Sequence, residues 1–450
     1  MPRRQRTPNT SLAALLRSAG IEHGQLAHRV NSVGRELGVE LHYDKSAVSH
    51  WLAGSVPKVG ARPAVVEALS RVLGRPVTYG EIGWPAEGEQ SAEGDTVAGV
   101  MDLSRADMDP SRRGVLKTGM YAAALAVPRF DDVSGRLESV STTATAGRTV
   151  RIGRSDVATV RTMTDKVADI LDQVGAGHAR PMAAAFLVNT AGPYLRAAGT
   201  EETRRDMRSA VADFVYLTGW MAMYENQQGL GQRYYLRALE LAGDASDHVT
   251  YCRTLRGMSL QATHLGHGKK GLELADAAAE AAPAAGPRLQ AFLRGQQAAA
   301  AAMTGARTTA LARLREAEIA LSRADDRRDA VGGYDQAAYY FHEAHVRWHL
   351  GDHAESVAAL DRSNAARSPL ERQGRLHCLG VTAERQYRMR HIEAACRTWH
   401  EFLDHHVAVS SARGDEHLKT MLRALPAQRS VTGVNELEQR ARHVAAQKAA

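Results

Sequence analysis

The stretch Gly219-Trp220-Met221-Ala222-Met223-Tyr224-Glu225-Asn226-Gln227-Gln228-Gly229-Leu230-Gly231-Gln232-Arg233-Tyr234-Tyr235-Leu236-Arg237-Ala238 decides the fold of this chain. Small residues stand at Gly219, Gly231 and Ala238, twelve and then seven positions apart, with Trp220, Tyr234 and Leu239 beside them. That spacing lets one helix cross an antiparallel partner closely at the small side chains while the large ones fill the seam. It recurs at Ser259, Gly271 and Ala278, and again at Ala298, Ala310 and Ala317. After a longer connection it returns at Ala344, Ser356 and Ser363, and less faithfully at Ala383, Ala395 and Phe402. Five matches in series predict an array of stacked helix pairs, curved so that one face is concave. Residues 156–198 are expected to supply leading helices and residues 435–447 a capping helix.

The spacing is that of the tetratricopeptide repeat, and the predicted fold class is all-α: a small N-terminal helical domain followed by a tetratricopeptide-like solenoid over residues 151–450. Composition agrees. Aromatic residues are only 5%, and the recurrence of Ala, Leu and Arg favours helix over sheet. With 450 residues, 44% hydrophobic and 24% charged, the chain is long enough for two or three domains and too apolar to be disordered. Cys252, Cys378 and Cys396 are far apart, odd in number and without CxxC pairing. They exclude a disulfide framework or zinc ribbon and read as buried thiols of a reducing compartment. No run of eighteen apolar residues occurs, so no membrane partner is expected, and the first eight residues lack the apolar core of a signal peptide. The expected location is the cytoplasm. Ser111-Arg112-Arg113-Gly114-Val115-Leu116-Lys117, with the apolar run after it, looks like a twin-arginine export signal. More than a hundred residues inside the chain, it reads instead as the start of a short helix near 111–127 that packs on the repeats.

Charge is unevenly spread. The net +7 and isoelectric point near 9.3 suit a polyanion partner. Residues 1–85 hold eleven Lys/Arg against six Asp/Glu, whereas residues 86–109 hold seven acids against Arg105 alone. The acidic stretch, with the Ser/Thr/Gly-rich residues 134–148, is expected to form a hydrated, flexible linker over 86–150. Masking of the basic head by this acidic run is the alternative role.

Within residues 1–85, four helices are expected. The first carries Leu12, Leu15 and Leu16 and stops at Gly20; the second carries Leu26, Ala27 and Val30 and runs through Val33 and Leu37 to Gly38. Asp44 caps a third, Lys45 to Leu52, and a fourth runs from Val65 to Leu73 after Pro63 and stops at Gly74. On the third, Val48, Trp51 and Leu52 share one face, to be buried, and Lys45, Ser46, Ser49 and His50 share another. This division is what insertion into a major groove requires.

Gln25-Leu26-Ala27-His28-Arg29-Val30 and Ser46-Ala47-Val48-Ser49-His50-Trp51-Leu52-Ala53-Gly54, followed by Pro57 and Lys58, resemble the lambda-repressor-like (XRE) helix-turn-helix family. The resemblance implies that Lys45, Ser46 and His50 meet base edges with Ser49 nearby, and that Ser55, Lys58, His23 and Arg62 meet phosphates. One departure is the interval Asn31 to Tyr43, much longer than the usual tight turn; it is expected to hold an extended helix plus a loop. The whole layout is similar to tetratricopeptide-containing regulators of actinomycete differentiation and antibiotic production, through Ile152-Gly153-Arg154-Ser155-Asp156-Val157, Gly219-Trp220-Met221 and Gly229-Leu230-Gly231-Gln232-Arg233-Tyr234. In architecture it also resembles peptide-pheromone receptors of the Rgg and PlcR kind. Both likenesses imply a homodimer on double-stranded DNA, controlled by a peptide, small-molecule or protein effector in the repeat groove.

For that groove the aromatic and charged residues Trp220, Tyr224, Asn226, Arg233, Tyr340, His345 and Arg347 are the effector candidates, with Tyr216, Gln232 and Tyr339 beside them. His342, His345, His349 and His353 lie at helical spacing but do not form HExxH, because only Ala344 separates Glu343 from His345. No metal or other cofactor is expected. No phosphate-binding loop, strand-bound GxGxxG or GxSxG elbow occurs, so the chain is not expected to be an enzyme. The alternative from a different class is a protein-interaction adaptor without specific DNA binding.

Overall fold

The computed structural model describes residues 7–36, 40–75, 77–84, 96–108, 121–123, 125, 127, 130, 151–281, 286–324 and 333–449. The protein is all-α. Among the described residues there is no β-strand, only a single bridge between Arg151 and Ala198.

The head begins with α1 (Thr10–Ala19), capped by the Asn9 side chain, which accepts from the Leu12 amide at 2.8 Å. It ends at Gly20, whose φ of 62° is the left-handed stop that glycine adopts without strain. Helices α2 (His23–Glu36) and α3 (Lys45–Leu52) follow, and the Asp44 carboxylate caps α3 by accepting from the Ala47 amide at 2.9 Å. Helix α4 (Arg62–Leu73) starts three residues before the expected Val65, because Pro63 fits the first turn, where its missing N–H is not needed. A further short helix, α5 (Tyr79–Ile82), opens with a reciprocal cap between Thr78 and Glu81. Leu12, Leu26, Val30, Val48, Trp51, Val65, Leu69, Ile82 and Trp84 form one core beneath these helices.

The acidic stretch is corrected by the structure. Residues 96–108 of the expected flexible linker form α6 (Thr96–Met108), which buries Val97, Val100, Met101, Ser104 and Asp107. Its apolar positions recur at helical spacing, and its one buried acid is neutralised. Arg180 donates to Asp107, and the Tyr234 hydroxyl donates to the same carboxylate at 3.2 Å. Further along, the Ala122 N–H donates to Gln232 Oε1 at 2.7 Å and its carbonyl accepts from Gln232 Nε2 at 3.0 Å, and the Ala123 amide donates to Glu67 of α4 at 2.9 Å. This short segment therefore ties head to repeats. Residues 109–120, with the twin-arginine-like motif, and 134–148 lie outside the described residues.

Helices α7 (Arg154–Val174) and α8 (Ala176–Phe186), the latter continued by a π turn, lead into five antiparallel pairs. These are α9 (Glu201–Tyr224) with α10 (Gln228–Asp244), α11 (His248–His264) with α12 (Gly268–Glu280), and α13 (Pro287–Met303) with α14 (Arg307–Ser322). Then come α15 (Gln336–His349) with α16 (His353–Ala366), and α17 (Arg372–Arg388) with α18 (Ile392–His406). Helices α19 (Ala412–Ala424) and α20 (Val434–Ala449) close the array.

The twelve-residue spacing marks the crossings in each pair. A Cβ added at Gly231 would stand 3.1 Å from the Gly219 carbonyl oxygen, and one at Gly271 would stand 2.5 Å from Thr263 Cγ2. The Ser259 hydroxyl donates across the same crossing to the Gly271 carbonyl at 2.7 Å. Ala298, Ala310, Ala344, Ser356, Ala383 and Ala395 are all fully buried at the equivalent places.

The solenoid also returns on itself. Gly177 N–H donates to the Ser410 carbonyl at 3.0 Å, Ser410 N–H donates to the Val174 carbonyl at 2.8 Å, and Glu225 accepts from the Ala412 amide at 3.1 Å. The first helices of the array thus meet the last, and the concave face becomes an interior. No described helix is long and apolar enough to cross a membrane.

Candidate nucleic-acid interface

Trp51 fixes α3 in the head. Buried to 3% exposure, it meets Tyr43 and Trp84 edge-on at ring distances of 5.0 and 6.3 Å. Val48 is fully buried beside it, whereas Leu52, expected in the core, is only half buried. The long interval between α2 and α3 is held by Asn31, whose side chain donates to the Tyr43 carbonyl and accepts from the Tyr43 amide, both at 2.8 Å. One asparagine thereby satisfies both backbone groups of the residue that enters α3. Asn9 N–H donates to the Leu52 carbonyl at 2.8 Å and ties the other end of α3 to α1.

With its inner face anchored, α3 exposes Lys45, Ser46, Ser49 and His50. They line a concavity of about 900 Å³ together with Arg17 of α1 and His23 of α2. Arg17 and Lys45 give this hollow a positive rim, and the α3 N-terminus adds its backbone dipole. Ser49 is more constrained than the sequence implied: its hydroxyl donates to the Lys45 carbonyl at 3.0 Å and lies 3.2 Å from His23 Nδ1. These contacts orient His23 and Ser49 toward each other across the hollow. Lys58 is exposed beyond α3, and Ser55 is half buried. Arg62, expected on a phosphate, is half buried and donates Nε to the Pro57 carbonyl at 3.1 Å, which holds the loop after α3. It serves the fold of that loop.

The effector candidates divide. Trp220 and Tyr224 on α9 and His345 on α15 face the interior, where they meet Arg256, Arg413 and Arg385 respectively. The other four have different surroundings. Asn226 has a positive φ of 54° in the turn after α9, Arg233 is exposed on α10, Tyr340 lies under Arg362 of α16, and Arg347 pairs with Glu343 and Asp352.

Arg256, His264, Phe292, His377, Arg413 and His417 are interior residues that sequence reasoning passed over. They come from first helices of successive pairs and from α19, and only their recurrence on those helices signals them. His377 Nδ1 lies 2.9 Å from His417 Nε2, and His417 Nδ1 lies 2.7 Å from Glu384. Among the described residues no cluster of His, Cys, Asp and Glu has the arrangement of a metal site. His342 and His345 are instead engaged by Tyr334 and Arg385.

His342 gives a pH dependence. It is buried at 3.0 Å from the Tyr334 hydroxyl, and burial, assisted by Arg256, lowers its pKa to about 3. The unfolded chain takes up this proton near the ordinary value of about 6.5, so the histidine's contribution is complete above that pH and is lost as pH falls toward 3. At pH 5 the loss from His342 is about 2 kcal/mol relative to pH 7. Denaturant unfolding at the two pH values checks this, and His342→Gln should reduce the difference by that amount.

Comparison with known families matches a model described as the SP15 N-terminal domain to residues 12–85, the segment that contains most of α1 and all of α2 to α5. Comparison with curated proteins gave no match.

Proposed function

We propose that the chain is a sequence-specific DNA-binding transcriptional regulator of the helix-turn-helix kind, acting in the cytoplasm as a homodimer, with the repeat domain as its effector receptor. The observation that carries this is the split character of α3, which buries Val48 and Trp51 and leaves Lys45, Ser46 and His50 exposed along a positively rimmed hollow. In this role α2 supports and α3 enters the major groove. Lys45 on the first turn suits guanine O6 and N7, Ser46 and His50 are permissive readers, and Lys58 suits a backbone phosphate. The tie from Glu67 through Ala123 and Ala122 to Gln232 supplies a short mechanical route from the repeats to the head.

Sequencing the DNA that co-purifies with the native protein tests the proposal. A shared inverted motif is the expected result, its half-sites separated by one helical turn of about 34–36 Å or a multiple of it. Genomic DNA recovered evenly, with salt-insensitive capture of one protein, would favour the adaptor without specific DNA binding.

A further inference from the structure

Buried arginines in this protein generally have partners. Arg253 donates to Asp213 at 2.9 Å, Arg180 pairs with Asp107, and Arg385 donates to the Ala344 carbonyl and the Ser356 hydroxyl at 3.1 and 2.6 Å. Two others differ. Arg256, only 4% exposed, is sandwiched in the interior between the rings of Trp220 and Phe292, at 5.2 and 3.8 Å. Its hydrogen-bonding partner is the Tyr216 hydroxyl, while its Nε and Nη1 are shielded from solvent and have no acceptor among the described residues. Arg413, 5% exposed, lies over the Tyr224 ring at 4.7 Å and hydrogen-bonds the Tyr224 hydroxyl, and its Nε and Nη2 are likewise shielded without an acceptor. The Tyr235 hydroxyl, also buried without a partner, feels both guanidinium charges.

A guanidinium removed from water without a counter-charge is costly, and replacing it with an apolar residue of similar size is often neutral or stabilising. Two such groups in one interior, Arg256 one helical turn from the paired Arg253 and Arg413 on α19, are therefore poorly explained by stability. Their aromatic stacks hold the planar forks in fixed orientation, the arrangement that suits bidentate capture of an oxyanion. Neither arginine forms an ion pair with a carboxylate of the described residues; the charge of Glu416, one turn along the helix, reaches Arg413 without pairing with it, and His264 and His377 lie close enough to Arg413 to feel its charge. His264 is exposed to solvent and lies close enough to Arg413 and His417 to feel their charge.

We propose that the closed interior of the repeat array binds a small molecule through an oxyanion group, phosphate or carboxylate, held by the guanidinium forks of Arg256 and Arg413. This deepens the effector half of the function proposed above and does not depend on the DNA half. Because the array closes on itself through Val174, Gly177 and Ser410, a compact anion suits the site better than an extended peptide.

Thermal unfolding of the full chain in sodium phosphate, and separately in sodium malonate, against sodium chloride of equal ionic strength tests the proposal. A ligand that binds only the folded state raises the midpoint with its concentration. A saturable rise of about 3 °C or more is expected with at least one of the two anions, and which one responds separates phosphate from carboxylate. Arg256→Gln and Arg413→Gln should abolish the rise. If either fails to fold, Arg256→Lys and Arg413→Lys keep the charge but lose the fork, and should retain a rise at least several-fold weaker in concentration dependence. An equal rise in wild type and all variants, or no rise with either anion, overturns the proposal. DNA retention by the variants, measured in parallel, keeps that outcome distinct from failure of the DNA-reading proposal.

Discussion

Asp107→Ala is expected to destabilise the fold by about 3–5 kcal/mol, because it strips the buried Arg180 of its counter-charge. Asp107 is nearly inaccessible on α6, Arg180 is nearly inaccessible on α8, and Tyr234 of α10 donates its hydroxyl to the same carboxylate. Three helices from separate parts of the chain therefore converge on one acid. Asp107→Asn keeps the shape and a hydrogen-bond acceptor but not the charge, and should cost less than the alanine change. Urea unfolding of the two variants against wild type checks this. A loss below about 1 kcal/mol for Asp107→Ala would mean that α6 is peripheral to the fold, as the acidic composition first implied.

The second large effect is expected at the closure of the array. Gly175 has a φ of 95°, and a Cβ there would stand 2.2 Å from the Ser410 carbonyl oxygen and 2.8 Å from its carbonyl carbon. Both atoms are backbone, so no side chain can rotate away to make room. Gly175→Ala therefore combines a backbone conformation that alanine rarely adopts with an overpacked contact, and about 2–4 kcal/mol is expected from the two together. The same substitution at Gly266, with a φ of 85° but nothing within 4 Å of the added Cβ, bears only the conformational part, about 1 kcal/mol. Comparing the two by denaturant unfolding separates closure from turn strain: equal losses would contradict the closure described here.

Much of the helical architecture was legible because the physical constraint leaves a mark at single positions. Close helix crossings demand small residues, and the series from Gly219 to Ala395 recorded each crossing in turn. The limits of α3 were legible for a similar reason, since Asp44 caps its start and Gly54 follows its end. What stayed hidden depends on partners distant in sequence. Helix α6 was masked because seven acids dominate its neighbourhood, while the arginine that neutralises its buried aspartate lies 73 residues away. The side chain that steadies the entry to α3, Asn31, reads as an ordinary polar residue of a helix until Tyr43 is seen against it. Arg62 reads as one more basic residue near α3 until its hydrogen bond to the Pro57 carbonyl is seen. Closure of the array was also illegible, because Gly175, Gly177 and Ser410 carry no periodic signal. As a result the interior arginines, Arg256 and Arg413, could not be told from surface cations.

The most direct test of the central claim is the affinity of the full-length protein for its own co-purified DNA site, compared between wild type and the Lys45→Ala/His50→Ala double variant by gel shift at fixed salt. Both side chains are exposed, so the double variant should fold normally. With about 1–3 kcal/mol of discrimination for a good base contact, the account predicts a loss of roughly 30-fold or more on the specific site and a much smaller loss on scrambled DNA. Unchanged affinity and selectivity in a folded double variant would contradict it.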